Sequence, residues 1–167
     1  MELNEAISKR RSIRAYKADP VADDKLEKVL RAARLAPSAA NRQPWRIYVV
    51  KDEELRRRLK AAYPQRWFYE APIILVICSI PSKAWSRRDG KNYADVDATI
   101  AFDHLILAAW EEGLGTCWIG AFDPQVVRSV LNLPPEEEPL AMTPLGYPEK
   151  VPNPTPRKAL EDLVVFR

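Results

Sequence analysis

The sequence predicts an α+β protein in which helices pack on one β-sheet. Apolar runs rich in β-branched residues predict several strands, and a long stretch that is apolar almost all round predicts a buried helix. Helices and strands are mixed irregularly along the chain, without the repeated βαβ units of a parallel sheet. The 167 residues show neither an internal repeat nor a low-complexity linker, which predicts a single domain over residues 1–167.

The first half of the chain contains three predicted helices and one strand. Helix boundaries follow from caps and prolines, and strands from β-branched and aromatic residues. In order, the expected elements are a helix from Leu3 to about Arg10, a helix capped by Asp23 or Asp24 and ended by Pro37, a strand over Trp45–Lys51, and a helix over Glu53–Tyr63.

The second half is organised around a strand buried on both faces and the longest helix. An extended arm and a last apolar strand should dock on the chain's own sheet or on a partner's. In order, we expect a strand over 72–80, a polar irregular segment over 82–93, a helix over 96–112, a strand or strand-like turn over 116–122, a helix capped by Asp123 and running to about Leu131, a strand over 140–146, a proline-rich arm over 148–156 and a strand over 163–166.

Composition excludes several classes of function. Basic residues exceed acidic ones by 26 − 23 = 3, too few to indicate a nucleic-acid binder. Cys78 and Cys117 lie in apolar runs, which favours buried thiols in a reducing compartment over a zinc site. The N-terminus does not resemble a signal peptide, and no apolar run has membrane-spanning length, so we expect a cytoplasmic protein without membrane contact.

The segment Arg10-Arg11-Ser12-Ile13-Arg14 is a candidate phosphate site. Guanidinium groups donate two parallel hydrogen bonds to a charged oxygen pair, and Arg10 and Arg14 share a face if the segment is helical. The alternative is a solvated basic cluster that complements a helix C-terminus.

Three further segments carry candidate binding groups, each with a purely structural alternative. Residues 37–45 form a loop between two prolines in which Asn41 and Gln43 offer amides; the alternative is a connecting turn. Residues 113–120 expose backbone N–H groups beside Trp118, or simply end a helix and begin a core strand. Residues 152–158 present Arg157 and Lys158 on a stiff arm, or form a solvated basic tail.

Other polar residues carry weaker signals. The single histidine, His104, is expected to be a satisfied core residue, and residues 136–138 (Glu-Glu-Glu) are expected to form a surface loop. Asp95, Asp97 and Asp103 are spread around a helix axis, so no metal site is predicted.

The order and spacing of these motifs resemble the nitroreductase family. RRSIR, PSAANRQPW, EEGLGTCWIG and LGYP…PxPxPRK follow one another over essentially the whole chain, as in the short members of that family. The resemblance implies a central, mainly antiparallel sheet and an intertwined homodimer with two FMN sites at the subunit interface. It assigns FMN contacts to Arg10, Arg11, Ser12, Arg14 and Arg157, to Trp118, Ile119 and Gly120 around the ring, and to Pro37, Ser38, Ala39, Asn41 and Gln43 of the partner; Lys158 is left open.

The same resemblance implies an NAD(P)H-dependent oxidoreductase. NADH or NADPH would reduce the flavin, and a small-molecule acceptor such as a nitroaromatic or quinone would then replace the nicotinamide in a ping-pong sequence. Arg14 is the residue expected to tune the flavin, and residues 63–70 or 82–93 would shape the substrate pocket. The alternatives are an FMN-binding redox sensor or carrier, a dehalogenase-like or flavin-fragmenting enzyme on the same scaffold, and a basic anion-binding module without flavin.

Overall fold

The computed structural model describes residues 2–167 and contains a four-stranded antiparallel sheet. Its spatial order is β1-β2-β4-β3, so β1 lies at one edge and the central pair is β2 and β4. The strands are β1 (Trp45–Val50), β2 (Ile73–Ser79), β3 (Gly115–Thr116) and β4 (Glu138–Gly146). The predicted α+β class is confirmed.

Helices cover both faces of this sheet. They are α1 (Leu3–Lys9), α2 (Asp23–Arg34), α3 (Glu53–Arg58), α4 (Arg66–Tyr69), α5 (Ala94–Glu111) and α6 (Pro124–Leu131), with single 3₁₀ turns at Ala39–Asn41, Leu59–Ala61, Pro81–Lys83 and Leu160–Asp162. Among residues 2–167, no helix is both long and apolar enough to cross a bilayer.

Strand β2 divides the core into two clusters because alternate side chains point to opposite faces. Ile73, Leu75 and Ile77 pack with α2 and α5, whereas Ile74, Val76 and Cys78 pack with residues such as Phe68 and Val127. Every residue of β2 is buried, as the continuous apolar run predicted. Helix α5 is the central helix expected from its all-round apolar sequence.

Helix α1 ends at Lys9, close to the predicted end, because Arg10 turns to an extended conformation. Two other predicted boundaries are wrong. Helix α2 has Ala22 as its N-cap, so Asp23 and Asp24 lie in its first turn and neither caps it. The helix predicted over 53–63 ends at Arg58 and continues only as a 3₁₀ turn. The Asp123 cap is confirmed: its carboxylate accepts the Gln125 N–H at 2.8 Å.

Two segments differ more strongly from expectation. Residues 82–93 are not irregular: residues 85–93 form a short hairpin, which we call the basic hairpin, with an antiparallel bridge between Ser86 and Asn92. The strand predicted over 163–166 does not form within residues 2–167, because the tail finds no strand of its own chain to pair with. Its last turn is a 3₁₀ helix, and Phe166 is 91% exposed.

Candidate functional site

The arginine segment, residues 10–14, is extended, because it pairs with Thr116 in residues 113–120, which we call the glycine turn. Ser12 forms a parallel bridge with Thr116, and the Ile13 N–H donates to the Thr116 carbonyl at 2.8 Å. Ile13 is fully buried, which fixes the segment against the sheet. The expectation that Arg10 and Arg14 share a helix face is therefore wrong; the extended backbone spaces their side chains along the edge of the sheet.

The extended segment and the proline-rich arm enclose one cavity. Its volume is about 440 Å³, and it lies where the end of α1 faces the arm. The lining residues are Ile7, Ser8, Arg10, Arg11, Ser12, Arg14, Pro152, Asn153, Pro154, Thr155 and Arg157. The structure thus brings together two motifs that are far apart in the sequence, and it adds Asn153 and Thr155, which sequence reasoning did not single out.

Positive charge in this cavity is not neutralised by the protein. Within residues 2–167, none of its arginines forms an ion pair with a carboxylate, whereas Arg31 and Arg57 on the outer helices each pair with a glutamate one turn away. Arg11 donates to backbone carbonyls at 2.8 Å, and Arg157 donates to Thr155 Oγ1 at 2.7 Å. Four guanidinium groups without counterions favour an anionic ligand.

The guanidinium of Arg14 lies over the indole of Trp67, 6.0 Å from the ring centroid. Trp67 is held in turn by Tyr63, whose ring meets it edge to face at 5.7 Å. From the sequence, Trp67 was only one residue of the segment 63–70 that was expected to shape the substrate pocket. In the structure it supports a cavity arginine, and no sequence pattern indicated that pairing.

The glycine turn presents Trp118 beside the arginine segment. Trp118 is 40% exposed and packs edgewise on the buried Phe102 at 4.8 Å. Ile119 contributes less than expected, because its side chain is buried in the core and its N–H donates to Met142 at 2.8 Å. A backbone N–H directed at a ligand from this turn must therefore come from a neighbour such as the exposed Gly120.

The buried Cys117 thiol lies beneath the cavity. Burial raises its pKa, and the positive charge of Arg14 partly opposes that rise. Tyr16 is half-buried near Cys117, its hydroxyl donates to the Ile13 carbonyl at 2.7 Å, and desolvation raises its pKa. Neither group therefore adds negative charge near the arginine segment.

The loop over residues 37–43, which we call the amide loop, has an unusual backbone. Ala40, Asn41 and Gln43 adopt positive φ angles of 51°, 54° and 50°. The Gln43 N–H donates to Ser38 Oγ at 3.0 Å, and the Gln43 side-chain amide donates to the Asn41 carbonyl at 3.1 Å. Left-handed non-glycine residues cost energy and persist where surrounding contacts hold them.

Asp97 makes one of the contacts that hold the amide loop in this conformation. Its side chain is 2% exposed, and Oδ1 accepts the Ala39 N–H at 3.0 Å. The other carboxylate oxygen, Oδ2, has no hydrogen-bond partner. Sequence reasoning considered this residue only as a metal ligand and rejected it, since nothing in the local pattern shows that α5 begins beside the amide loop.

The amide loop does not line the arginine cavity of its own chain. Asn41 and Gln43 are exposed instead, on a different part of the surface. One chain therefore brings together three of the four predicted motifs, namely the arginine segment, the arm and residues 113–120, and leaves the amide loop facing outward.

Two expectations outside the site need correction. Glu137, expected on a surface loop, is 1% exposed, because Arg46 forms an ion pair with it at 2.5 Å and the Tyr48 hydroxyl donates to it at 2.6 Å. His104 is only half-buried and lines an apolar groove between α1, α2 and α5, so it is not a core residue. Cys78 and Cys117 are both free and buried, as expected.

Known proteins with similar sequences span the whole chain. The sequence profile of the Nitroreductase family matches residues 7–63 and 60–147. An NADH dehydrogenase of Thermus thermophilus is 34% identical over 198 aligned positions, which cover 100% of this chain and 97% of that protein. The FMN reductase (NAD(P)H) of Bacillus subtilis is 30% identical over 164 positions, covering 88% of this chain and 66% of that protein.

Solved structures agree with the sequence comparison. A nitroreductase family protein of Clostridium difficile 630 has a TM-score of 0.91 and 36% identity, covering 99% of this chain and 98% of that one. An FMN-dependent nitroreductase of Clostridium difficile R20291 has a TM-score of 0.82 and 29% identity, covering 98% of each chain. On sequence and fold together, the chain belongs to the nitroreductase family.

Proposed function

We propose that this protein is an FMN-dependent oxidoreductase that passes reducing equivalents from NADH or NADPH to nitroaromatic, quinone or similar small acceptors. The observation that carries the proposal is the cavity of about 440 Å³ lined by arginines without carboxylate partners. A phosphate-bearing cofactor supplies the missing counterion. The names of similar proteins, which include an NADH dehydrogenase, an FMN reductase and an FMN-dependent nitroreductase, support the same cofactor and reductant.

The residues of the cavity fit the polar half of FMN. Arg10 and Arg157 approach from the arginine segment and the arm, so together they can clamp a phosphate from two sides. Arg11 and Ser12 then offer donors to the ribityl chain. Trp118 supplies a flat apolar surface for the ring, with Gly120 beside it.

When bound, FMN supplies the hydride and electron transfer that no side chain of the protein can perform. The protein binds, orients and tunes it. Arg14 is placed to stabilise negative charge on the reduced ring, because it lines the cavity and lacks a carboxylate partner within residues 2–167. The exposed face of Trp118 leaves room for a nicotinamide or an acceptor to reach the ring.

We further propose that the active form is a homodimer with FMN at the subunit interface. The amide loop then faces the arginine cavity of the partner, and Asn41 and Gln43 contact the pyrimidine edge of the flavin with Pro37, Ser38 and Ala39. Apolar residues exposed in the single chain support this arrangement, since water is an unfavourable partner for them. They include Leu3, Ile7, Leu35, Leu163, Val165 and Phe166.

The tail has a specific place in this dimer. Strand β1 lies at the edge of the sheet, and its free backbone groups can pair with an extended segment of the partner. The apolar tail over residues 163–166 has the composition of such a strand. Two free buried thiols suit a reducing compartment, so we place the enzyme in the cytoplasm.

The test is a flavin absorbance spectrum of the purified protein, followed by an acceptor panel with each nicotinamide, and light scattering for the oligomeric state. We expect a yellow dimer that oxidises NADH or NADPH rapidly when a quinone or nitroaromatic is added. A flavin complex without turnover on any acceptor would instead favour the redox sensor or carrier, and turnover only with halogenated substrates the dehalogenase-like enzyme. Protein that stays colourless after FMN soaking would favour an anion-binding module.

A further inference from the structure

The basic hairpin is an ordered element. The Arg87 N–H donates to the Lys91 carbonyl at 2.9 Å, and Gly90, at φ 87°, closes the turn. At the base, the rings of Trp85 and Tyr93 meet edge to face at 5.1 Å. Cations on this hairpin are therefore presented in a fixed place.

The basic hairpin and the three residues before it carry a net charge of +3, which equals the net charge of the whole chain. Residues 82–93 contain Lys83, Arg87, Arg88 and Lys91 against Asp89, or 4 − 1 = +3, and the chain as a whole is +3. Arg87 is neutralised by Asp89, whose Oδ2 lies 2.6 Å from Arg87 Nη2. The other three cations are exposed and have no carboxylate partner within the described chain.

The hairpin is fixed beside the amide loop. Arg42, within that loop, donates to the Ala84 carbonyl at 3.4 Å. The hairpin leads directly into α5, whose Ala94 N–H donates to Asn92 Oδ1 at 2.9 Å. Asp97, in the first turns of α5, accepts a hydrogen bond from the Ala39 N–H of the amide loop. Arg42 is a further cation beside the hairpin, and its positive charge offsets the negative charge of the exposed Asp95 at the start of α5.

FMN does not account for this charge. The cavity proposed for its phosphate is lined by the arginine segment and the arm, and contains no residue of the hairpin. The amide loop beside the hairpin is proposed to reach the flavin ring, at the opposite end of the cofactor from the phosphate. A nucleotide that stacks its nicotinamide on the ring and extends outward past the amide loop would therefore meet the hairpin.

We infer that the basic hairpin binds the 2′-phosphate of NADPH, with Arg88 and Lys91 as the specificity-determining residues. The inference rests on the proposed function and adds the choice of reductant. NADH and NADPH differ by this one phosphomonoester, which the adenosine ribose carries at the end of the nucleotide away from the nicotinamide, so cations without partners beyond the ring site discriminate between them directly. The wild-type enzyme accordingly prefers NADPH.

The test compares kcat/KM for NADPH and NADH in the FMN-loaded enzyme, with a neutral naphthoquinone as acceptor. The variant is Arg88→Ala/Lys91→Ala. We expect kcat/KM for NADPH to fall by roughly 10-fold or more, the effect of losing a charge-assisted hydrogen bond, while kcat/KM for NADH is unchanged. Arg88→Glu/Lys91→Glu should reverse the preference, since like charge then repels the phosphate.

The matched control is Arg58→Ala/Lys60→Ala, which removes the same two charges from exposed positions that follow the end of β1, whereas the amide loop precedes its start. This control should lower kcat/KM for NADPH and for NADH only by the small effect of a less positive net charge. The wild-type preference for NADPH should also decline with added salt, because the phosphate that distinguishes NADPH is screened, whereas turnover with NADH, which carries only the diphosphate, should decline less.

The outcomes separate the two proposals. Absence of bound flavin, or of any nicotinamide oxidation in wild-type protein, contradicts the proposed function itself. Normal flavin content and turnover with an unchanged NADPH-to-NADH ratio in both hairpin variants overturns only the hairpin assignment. A loss confined to an anionic quinone sulfonate as acceptor, with NADPH unaffected, also overturns it, because the bound anion would then belong to the acceptor.

Discussion

Ile13 packs directly on Gly115: a β-carbon at position 115 would lie 2.7 Å from Ile13 Cγ1. Real β-carbons do not approach another heavy atom that closely, so only glycine permits the contact. The contact lets the arginine segment lie flat on the glycine turn, where Ile13 also donates its N–H to Thr116. The geometry of the arginine cavity therefore depends on a glycine outside it.

Gly115→Ala should destabilise the protein by roughly 1–3 kcal/mol and weaken FMN binding, because the added methyl group displaces Ile13 and the arginines that flank it. Denaturant unfolding and FMN titration measure the two effects. Ile13→Ala/Gly115→Ala should lose less stability than the sum of the single changes. Additive losses would mean that the two residues are not coupled. Gly120→Ala is the control for stability, since its backbone is not left-handed and a β-carbon there has no neighbour closer than Trp118 Nε1 at 4.0 Å.

The sequence predicted helices, strands and local motifs better than it predicted which distant residues contact those motifs in the fold. Periodicity located β1, β2 and α5, because burial imposes a regular pattern on strands and helices. It left open a helical arginine segment, since pairing with Thr116 is a long-range contact that no local pattern encodes. Asp97 and Trp67 were missed as supports for the same reason: each acts on a residue distant in sequence.

Arg10→Ala and Arg157→Ala should each weaken FMN binding by roughly 1.5–3 kcal/mol, the scale of a hydrogen bond to a charged group. Both line the arginine cavity, one from the arginine segment and one from the arm. Fluorescence titration of the apoprotein with FMN gives the affinity. Riboflavin, which lacks the phosphate, should bind both variants as it binds wild type. FMN affinity unchanged in both variants would place the phosphate elsewhere.

Asp97→Ala should destabilise the protein by about 1–3 kcal/mol, because it leaves the Ala39 N–H without its acceptor. Asp97→Asn keeps an acceptor oxygen and should be close to wild type in both stability and FMN affinity. Ser79→Ala is a useful contrast: the Ser79 hydroxyl is buried without a partner, so its removal should be neutral or stabilising. Equal losses for the alanine and asparagine variants of Asp97 would contradict its role as an anchor of the amide loop.

Stability should fall at alkaline pH because of Cys78. Burial raises its pKa from 9.0 to about 12, so the folded state retains a proton that the unfolded state loses. Below pH 9 the thiol is neutral in both states and contributes no pH dependence. Between 9 and 12 it lowers the free energy of unfolding, by at most about 1.4 kcal/mol per pH unit. Denaturant unfolding of wild type and Cys78→Ala across this range should converge as pH rises; parallel curves would contradict the prediction.

Trp67 should influence the flavin through Arg14. Arg14→Ala removes a positive charge from the cavity, so the reduction potential of bound FMN should become more negative; a loss of about 1.4 kcal/mol corresponds to about 30 mV for a two-electron couple. Trp67→Leu leaves Arg14 without the ring that holds it at 6.0 Å, and should shift the potential in the same direction by a smaller amount. Trp67→Phe keeps an aromatic face and should restore most of the wild-type value.

Spectroelectrochemical titration of the flavin measures these potentials, and the unfolding free energy of each variant shows whether packing is preserved. A merely structural role for Trp67 predicts lost stability with an unchanged potential. In the background of Arg14→Ala, Trp67→Leu should have no further effect on the potential, because the residue acts only through the guanidinium. A second shift of similar size in the double variant would mean that Trp67 acts on the flavin by another route.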